Sequence, residues 1–249
     1  MNDVIELLQR HRSIRKFTDQ PVAQSLVEDC VRAGQAAATS SFIQACTVIQ
    51  VSPGGTRDQI AEWAGNQTYV STAPVFLVFC ADMHRHALAC EMHNADMLSG
   101  YTEQFLTASV DCALFAQNTV VAAESAGLGI CYIGGIRNQP GKVAAALKLP
   151  HQVYPVFGLC LGYPDQDPEV KPRLPLSVVL KQDHYNDQES DQEDKARIAT
   201  YDQHVREYYA TRTGGNKSMT WSEQISGMLQ REARPHMLPF LNSRGFLKR

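Results

Sequence analysis

The sequence predicts a chain that mixes α-helices with β-strands, and three apolar segments carry this prediction. Residues 73–80 are almost continuously apolar, which is typical of a central strand covered on both faces. Residues 153–162 form a second apolar strand. Residues 103–126 show a long helical pattern with little polar surface, which predicts a core helix that also suits a subunit interface. A chain of 249 residues is long enough for one large domain or two small ones.

The composition is that of an ordinary globular protein, with 44% hydrophobic and 20% charged residues. The net charge of -3 gives no overall basic field, so we expect neither a nucleic acid nor a membrane as partner. No apolar run reaches the roughly 18 residues of a membrane helix, and the N-terminus lacks the apolar core of a signal peptide. The seven cysteines form no Cys-x-x-Cys pair. We therefore expect buried free thiols in a cytoplasmic protein.

The remaining elements follow from local patterns along the chain. Apolar spacing predicts a helix over residues 22–38, and β-branched residues predict a strand over residues 46–51. Further signals predict, in order, a turn at 53–55, a helix near 56–64, a strand at 130–133 and a short helix at 141–148. Residues 181–197 carry six acidic side chains and almost nothing apolar, which predicts a solvated linker. A C-terminal helical extension over residues 198–249 is expected to follow it.

A basic cluster occupies residues 11–17, between a short amphipathic segment and a turn. Guanidinium groups such as those of Arg12 and Arg15 bind phosphate through forked, charge-assisted hydrogen bonds, and the Ser13 hydroxyl adds a neutral donor. The cluster therefore suits an anion site. It equally suits a solvated basic helix end, which the helix dipole would favour. The cluster alone leaves both interpretations open.

Two polar stretches could contact a flat ligand. Residues 39–41 are small and carry hydroxyl groups, so a ring could approach their backbone closely, although they could also be only a helix end. Residues 65–69 include Gln67 and Tyr69, and an amide with a phenol suits the edge of a heterocycle. Taken alone, that stretch is equally a surface loop. Neither stretch alone identifies a ligand site, and each needs supporting residues elsewhere in the chain.

Glycines and further cations complete this set. The double glycine at residues 134–135 follows a short strand, and it either makes a tight turn or leaves room for a ring. Arg137 comes next, and Lys171 with Arg173 lies on a proline-stiffened extended segment where both side chains point the same way. The cations could bind a phosphate, and the exposed backbone could contact a ring. Together they would suit a phosphorylated planar cofactor. A Gly-x-Gly-x-x-Gly fingerprint in a strand-to-helix setting is absent, so a Rossmann domain is not indicated.

A metal site is the weaker alternative for the segment that begins at His84. His84, His86, Cys90 and His93 include potential ligands, but their spacing matches no standard zinc pattern. We therefore expect no metal there and a partly exposed, mobile segment instead.

Four motifs occur in order along the chain, at residues 11–17, 132–137, 157–162 and 171–175. Together they resemble the nitroreductase family, in its branch of oxygen-insensitive NADPH nitroreductases and NADPH–flavin oxidoreductases. The resemblance implies an α+β fold with a central, mostly antiparallel sheet wrapped by helices, in a single domain over residues 1–249. It also implies an intertwined homodimer with one FMN in each of two sites at the interface.

The resemblance also implies a role for each matched residue. The phosphate and ribityl end of FMN would be bound by His11, Arg12, Ser13, Lys171 and Arg173, with Arg137 as a further candidate cation. The flavin ring would be contacted by Arg15, Gln67, Tyr69, Tyr132, Ile133, Gly134 and Gly135. Thr39, Ser40 and Ser41 would come from the partner subunit. Arg212 would bind the 2′-phosphate of NADPH, and Lys217 stands where a second arginine is expected.

The activity implied by the resemblance is ping-pong hydride transfer, from NADPH to FMN and on to a nitroaromatic compound, a quinone or free flavin. The flavin carries the redox chemistry, so we expect no side chain to be essential as a general acid or nucleophile. The segment from His84 to Tyr101 is longer than in relatives and would border the substrate entrance. The alternative is a flavin-binding redox sensor with little turnover.

Overall fold

The protein is represented by a computed structural model, which describes residues 2–186, 188–212 and 219–249. The chain divides into two compact units. The first comprises Met1–Asp167 with Arg234–Arg249, and the second comprises Pro168–Ala233. The acidic stretch 181–197 lies inside the second unit, and residues 234–249 of the expected C-terminal extension belong to the first.

A four-stranded sheet forms the centre of the first unit. Its strands are β1 (Cys46–Gln50), β2 (Val75–Asp82), β3 (Gly129–Ile133) and β4 (Val153–Gly162). They lie in the order β1-β2-β4-β3, and each neighbouring pair is antiparallel. All eight residues of β2 are buried, which confirms the prediction of a central strand covered on both faces. The expected α+β fold with an antiparallel sheet is confirmed.

Helices cover both faces of this sheet. They are α1 (Asp3–Gln9), α2 (Gln24–Gln35), α3 (Gly55–Trp63), α4 (Thr68–Thr72), α5 (His84–Met92), α6 (Thr102–Ser125), α7 (Pro140–Ala146) and α11 (Met237–Ser243). Short 3₁₀ turns span Ser40–Phe42 and Gly134–Asn138. Side chains of β2 alternate between two cores: Leu77 and Phe79 pack with α6, whereas Phe76 and Val78 pack with α3 and α7.

Helix α6 is the central helix of the first unit. It packs against α2 and against the sheet. A Cβ atom at Gly34 would lie 2.4 Å from the Phe115 ring and from the Thr119 hydroxyl oxygen, so only glycine allows this close approach of α2 to α6. By length and composition alone α6 could cross a membrane. Its packing is that of the core helix predicted over residues 103–126.

The described part of the second unit contains α8 (Leu176–Val179), α9 (Gln188–Arg212) and α10 (Trp221–Leu229). The prediction of a solvated linker over residues 181–197 is wrong from Gln188 onwards, where the chain is helical. The reason is charge pairing along the helix. Asp194 is bonded to Lys181 at 2.6 Å and to Arg197 at 3.1 Å, and Arg197 also contacts Glu193 at 2.8 Å. These contacts lower the pKa of Asp194 to about 2, with the Lys181 hydrogen bond as the largest cause.

Candidate functional site

The basic motif of residues 11–15 runs as extended chain beside the start of β3. Ser13 forms a parallel bridge with Ile130, and the Ile14 amide donates to the Ile130 carbonyl at 2.8 Å. The Ile14 side chain is buried against Gly129, where a Cβ atom would lie 2.7 Å from it. The motif is therefore fixed by main-chain pairing and by one apolar anchor, and it is not a solvated helix end.

Alternation along this extended segment separates its two arginines. Arg12 lines a cavity of about 630 Å³ together with Arg10 and Ile14, and its guanidinium pairs with the Asp167 carboxylate. Arg15 instead lies beside the Tyr69 hydroxyl. Successive residues of an extended chain point to opposite sides, so Arg12 and Arg15 face different surroundings. The motif therefore directs Arg12 to the cavity and Arg15 to Tyr69.

His11 is engaged by a residue that the sequence analysis did not single out. Its Nδ1 lies 2.6 Å from a carboxylate oxygen of Glu124, near the end of α6. A carboxylate only accepts, so Nδ1 carries the proton of this hydrogen bond. Glu124 therefore fixes the orientation of the His11 ring.

The structure brings Arg15, Gln67 and Tyr69 together, and we call these three residues the polar cluster. The Tyr69 hydroxyl donates to Gln67 Oε1 at 2.6 Å, and Gln67 Nε2 donates to the Ala64 carbonyl at 2.7 Å. Burial raises the pKa of Tyr69, and the charge of Arg15 opposes that shift. The cluster thus presents a cation, a phenol and an amide whose directions are set by hydrogen bonds.

The predicted glycine turn packs directly against this cluster. A Cβ atom at Gly135 would lie 2.3 Å from the Ala64 carbonyl oxygen and 2.6 Å from Gln67 Nε2. Gly135 is buried, whereas Gly134 is half-buried, so its backbone is the more accessible of the two. Glycine at 135 is therefore required by contact with the end of α3, and glycine at 134 leaves open backbone.

The residues before and after the glycines have other surroundings. Tyr132 packs edge-on against Phe157, with ring centroids 5.0 Å apart, and burial raises its pKa. The Ile133 side chain is fully buried in the core beside Phe76, so only its backbone could face a ligand. The Arg137 guanidinium donates to the Val156 carbonyl. In this structure Arg137 links the glycine turn to β4.

Residues 39–41 lie on a turn that contacts α6. Thr39 is half-buried, and Ser40 and Ser41 are exposed. The Ser40 amide donates to the Asp111 carboxylate at 3.3 Å. Sequence reasoning missed Asp111, although a carboxylate in the middle of a largely apolar helical pattern was a signal that could have identified it.

In the second unit, Lys171 and Arg173 lie on one short segment. The Lys171 ammonium is 5.4 Å from the centroid of the Tyr209 ring, and Arg173 donates to the Lys171 carbonyl at 2.9 Å. Both line a cavity of about 550 Å³ with Tyr201 and Trp221. Arg212 ends α9 and its side chain is not among the described ones, and Lys217 lies outside the described residues.

The histidine-rich segment contains helix α5 (His84–Met92), and its residues are half-buried or exposed, which confirms the predicted partial exposure. The His86 ring bonds to the Ile43 carbonyl, with Nε2 2.6 Å from the oxygen. Across residues 2–186, 188–212 and 219–249, no group of three or more His, Cys, Asp or Glu side chains is arranged to hold a metal ion.

Models of one protein family match almost the whole chain. A model of the Nitroreductase family matches residues 8–163, and one of the Nitroreductase family, C-terminal domain, matches residues 171–249. The chain is 46% identical to the NADPH-flavin oxidoreductase of Vibrio harveyi, over 100% of both chains. It is 41% identical to the oxygen-insensitive NADPH nitroreductase of Salmonella typhimurium, again over 100% of both. The solved structure of NADPH:FMN oxidoreductase from Vibrio harveyi, complexed with NAD+, matches with a TM-score of 0.89 and 43% identity, covering 100% of both chains.

Proposed function

The chain belongs to the nitroreductase family, and we propose that it is an FMN-dependent NADPH oxidoreductase that reduces small-molecule acceptors. The family resemblance carried by the four motifs is thereby confirmed. The observation that carries the proposal is the polar cluster of Arg15, Gln67 and Tyr69 beside the glycine turn. Nitroaromatic compounds, quinones and free flavin are the acceptor classes that we propose.

The donor set of the polar cluster fits the edge of a flavin ring. One N–H of the Gln67 amide is bonded to Ala64, so the other remains for a ligand. Arg15 places a positive charge beside Tyr69, and the backbone of Gly134, next to the glycine that packs on Gln67, is accessible. Bound FMN would supply the two-electron redox chemistry, and these residues would orient it and stabilise negative charge on its ring. We propose that the segment of Tyr132, Ile133, Gly134 and Gly135 would line the ring, chiefly through its backbone.

Cations outside the cluster are proposed to bind phosphate groups. From the family resemblance, we propose that His11, Arg12, Ser13, Lys171 and Arg173 bind the FMN phosphate and ribityl chain. Arg12 would have to exchange the Asp167 carboxylate for the phosphate. Arg212 and Lys217 stay proposed for NADPH. Arg137 is the weakest of these assignments, because its guanidinium is bonded to the main chain.

A homodimer is proposed from exposed apolar surface. Leu106, Val110 and Leu114 follow one another at four-residue spacing on α6, and each is about half exposed. Val4 and Leu8 on the neighbouring α1 are similarly exposed. Apolar stripes of this kind are covered in stable proteins, and the family resemblance names a second copy as the cover. Residues 39–41 would then reach the cofactor of the partner. A cytoplasmic location is proposed from seven unpaired thiols.

The test is the visible spectrum of the purified protein before and after anaerobic addition of NADPH. We expect a bound-flavin band that bleaches and that returns on addition of a nitroaromatic acceptor. Arg15→Met should weaken FMN binding at least tenfold, because it removes the cation of the cluster. Arg32→Met, on an exposed face of α2, should not change it.

Two results would contradict the proposed activity, and a third would contradict only the assignment of the cofactor site. A protein that neither carries nor takes up FMN would exclude the activity. A flavin band that NADPH does not bleach would favour the redox sensor with little turnover. Unchanged FMN binding in Arg15→Met would remove the polar cluster from the cofactor site while leaving the activity intact.

A further inference from the structure

The turn between α2 and β1 is strained. Ser41, Phe42 and Gln44 have positive φ angles of 49°, 58° and 57°, although none of them is glycine. L-residues avoid this left-handed region, and a run of them persists only where surrounding contacts determine the backbone. The Phe42 side chain is 81% exposed, so burial of that side chain does not hold the turn in place.

A buried carboxylate holds the turn from one side. Asp111 lies in the middle of α6 and is 1% exposed. Its two oxygens accept from the Ser40 amide at 3.3 Å and the Ala45 amide at 3.1 Å. Asp111 therefore clamps both ends of the turn and satisfies its own buried charge with main-chain donors.

Side chains of helix α5 hold the turn from the other side by donating hydrogen bonds to the carbonyl groups of the turn and of the start of β1. The Arg85 guanidinium donates to the carbonyls of Gln44 at 3.1 Å and Cys46 at 3.3 Å. His86 Nε2 donates to the Ile43 carbonyl at 2.6 Å. Within the described ranges His86 Nδ1 is buried and has no hydrogen-bond partner, so the bond to Ile43 fixes the ring. Asp82, itself buried, accepts from Arg85 at 3.5 Å and holds the guanidinium in place.

We propose that Asp111, Arg85 and His86 are positioning residues that fix the turn at residues 39–45 and thereby set the affinity for the electron acceptor. The turn borders a cavity of about 400 Å³ that is lined by Thr39, Gln44, Arg85 and Asp111. The inference rests on the proposed function, which places residues 39–41 at the cofactor of a second copy. A braced turn there limits the space beside the cofactor. A small acceptor lacks the phosphate groups that anchor NADPH, so it depends most on that space.

The first test measures the turn itself by hydrogen exchange of the peptide that covers residues 39–46 in the FMN-loaded protein. We expect exchange at Ser40 and Ala45 to be at least tenfold faster in Asp111→Asn, because the amide replaces an acceptor with a donor. In His86→Leu the same peptide should exchange severalfold faster. His93→Leu, at the exposed end of α5, is the matched control and should behave as wild type.

The second test measures the effect on the acceptor. His86→Leu should raise the KM for a nitroaromatic acceptor at least fivefold, while kcat, FMN content and the rate of anaerobic bleaching by NADPH stay within twofold. His86→Gln should restore the KM to within twofold of wild type, because its amide can donate to Ile43 as Nε2 does. Arg85→Lys should give an intermediate KM. One guanidinium nitrogen of Arg85 reaches both carbonyls while the other contacts Thr47 and Asp82, and a single ammonium nitrogen cannot serve both sets of partners.

The outcomes separate this inference from the proposed function. If the wild type reduces acceptors and His86→Leu has an unchanged KM, the inference alone is overturned. Loss of FMN from His86→Leu, with a normal KM in the remaining holoenzyme, would also overturn it, because the turn would then serve only cofactor retention. A wild type that NADPH does not reduce would overturn the proposed function, and the inference with it.

Discussion

The two cationic regions of this protein are built in different ways. Arg15 belongs to a segment that is paired with β3, and its neighbours Gln67 and Tyr69 are bonded to each other and to α3. Lys171 and Arg173 lie on a segment without regular structure, where one cation lies over a ring and the other bonds to its neighbour's carbonyl. Hydrogen bonds fix the directions of the donor groups in the first region, whereas the second region contributes mainly positive charge.

This difference indicates what each region can recognise. Fixed donors can match the edge of a planar ring, because hydrogen bonds weaken steeply when their angles are wrong. A phosphate is nearly spherical in charge, so mobile cations can bind it from several directions. We therefore expect the polar cluster to respond to displacements of an ångström and the Lys171 segment to respond to charge and salt.

The largest expected effect is that of Gly135→Ala, which disrupts the packing of the glycine turn against the polar cluster. The added Cβ atom would lie 2.3 Å from the Ala64 carbonyl oxygen, so α3 or the glycine turn must move. Overpacking of this kind lowers the free energy of unfolding by about 1–3 kcal/mol. Denaturant unfolding and FMN titration should show lower stability and a lost or greatly weakened flavin.

Gly134→Ala is the matched control for that change. Its Cβ atom would lie 3.4 Å from one nitrogen of the Arg137 guanidinium, which is an ordinary van der Waals contact. We expect stability to change by less than about 0.5 kcal/mol, as for surface substitutions. Equal destabilisation by both variants would mean that the turn as a whole, and not the contact with Ala64, is sensitive.

The second prediction uses salt concentration to distinguish binding by directed hydrogen bonds from binding by charge alone. Lys171→Met should weaken FMN binding about fivefold at low ionic strength, which corresponds to an ion pair near the surface of about 1 kcal/mol. That deficit should shrink in 1 M salt, where the Debye length is about 3 Å. The deficit of Arg15→Met should persist to a larger extent, because the Tyr69 and Gln67 side chains beside Arg15 are half-buried and hydrogen-bonded to each other. Isothermal titration at both salt concentrations measures this, and parallel salt dependence in the two variants would contradict the comparison.

Sequence patterns predicted most of the first unit because its elements depend on short-range periodicity. The continuous apolar run of β2 and the long apolar pattern of α6 both appear where they were expected. The family resemblance also selected Arg15, Gln67 and Tyr69, which the structure brings together. A motif that keeps its local spacing can be recognised before its three-dimensional contacts are known.

Long-range polar contacts could not be predicted in this way. Arg137 has the sequence context of a cofactor cation, yet its guanidinium bonds to the Val156 carbonyl on another strand. Asp111 holds amides that are more than sixty positions away in the chain. The acidic stretch has the composition of a linker, but its charges pair at helical spacing with Arg197 and across the unit with Lys181. Amino-acid composition gives the number of such charges but does not show which of them form ion pairs.

The smallest expected effect concerns acid stability of the second unit. The pKa of Asp194 is lowered from 3.8 to about 2, chiefly by the Lys181 hydrogen bond. A carboxyl group whose pKa is lowered by folding contributes stability above its unfolded pKa, and this contribution is lost as pH falls towards the folded value. We therefore expect the second unit to lose structure between about pH 4 and pH 2. In Lys181→Met the pKa of Asp194 rises, and the transition should move to higher pH.

The fluorescence of Trp221 reports on this transition, because its ring packs 6.1 Å from that of Tyr201 within the same unit. Trp63 is the other tryptophan, so the measurement is made in a Trp63→Phe background. Lys195→Met removes an exposed charge from the same helix and serves as the control, with no expected shift. Equal shifts in the two lysine variants would mean that net charge, and not the bond to Asp194, sets the acid stability. A shift confined to Lys181→Met would show that a single ion pair stabilises a stretch with the composition of a linker.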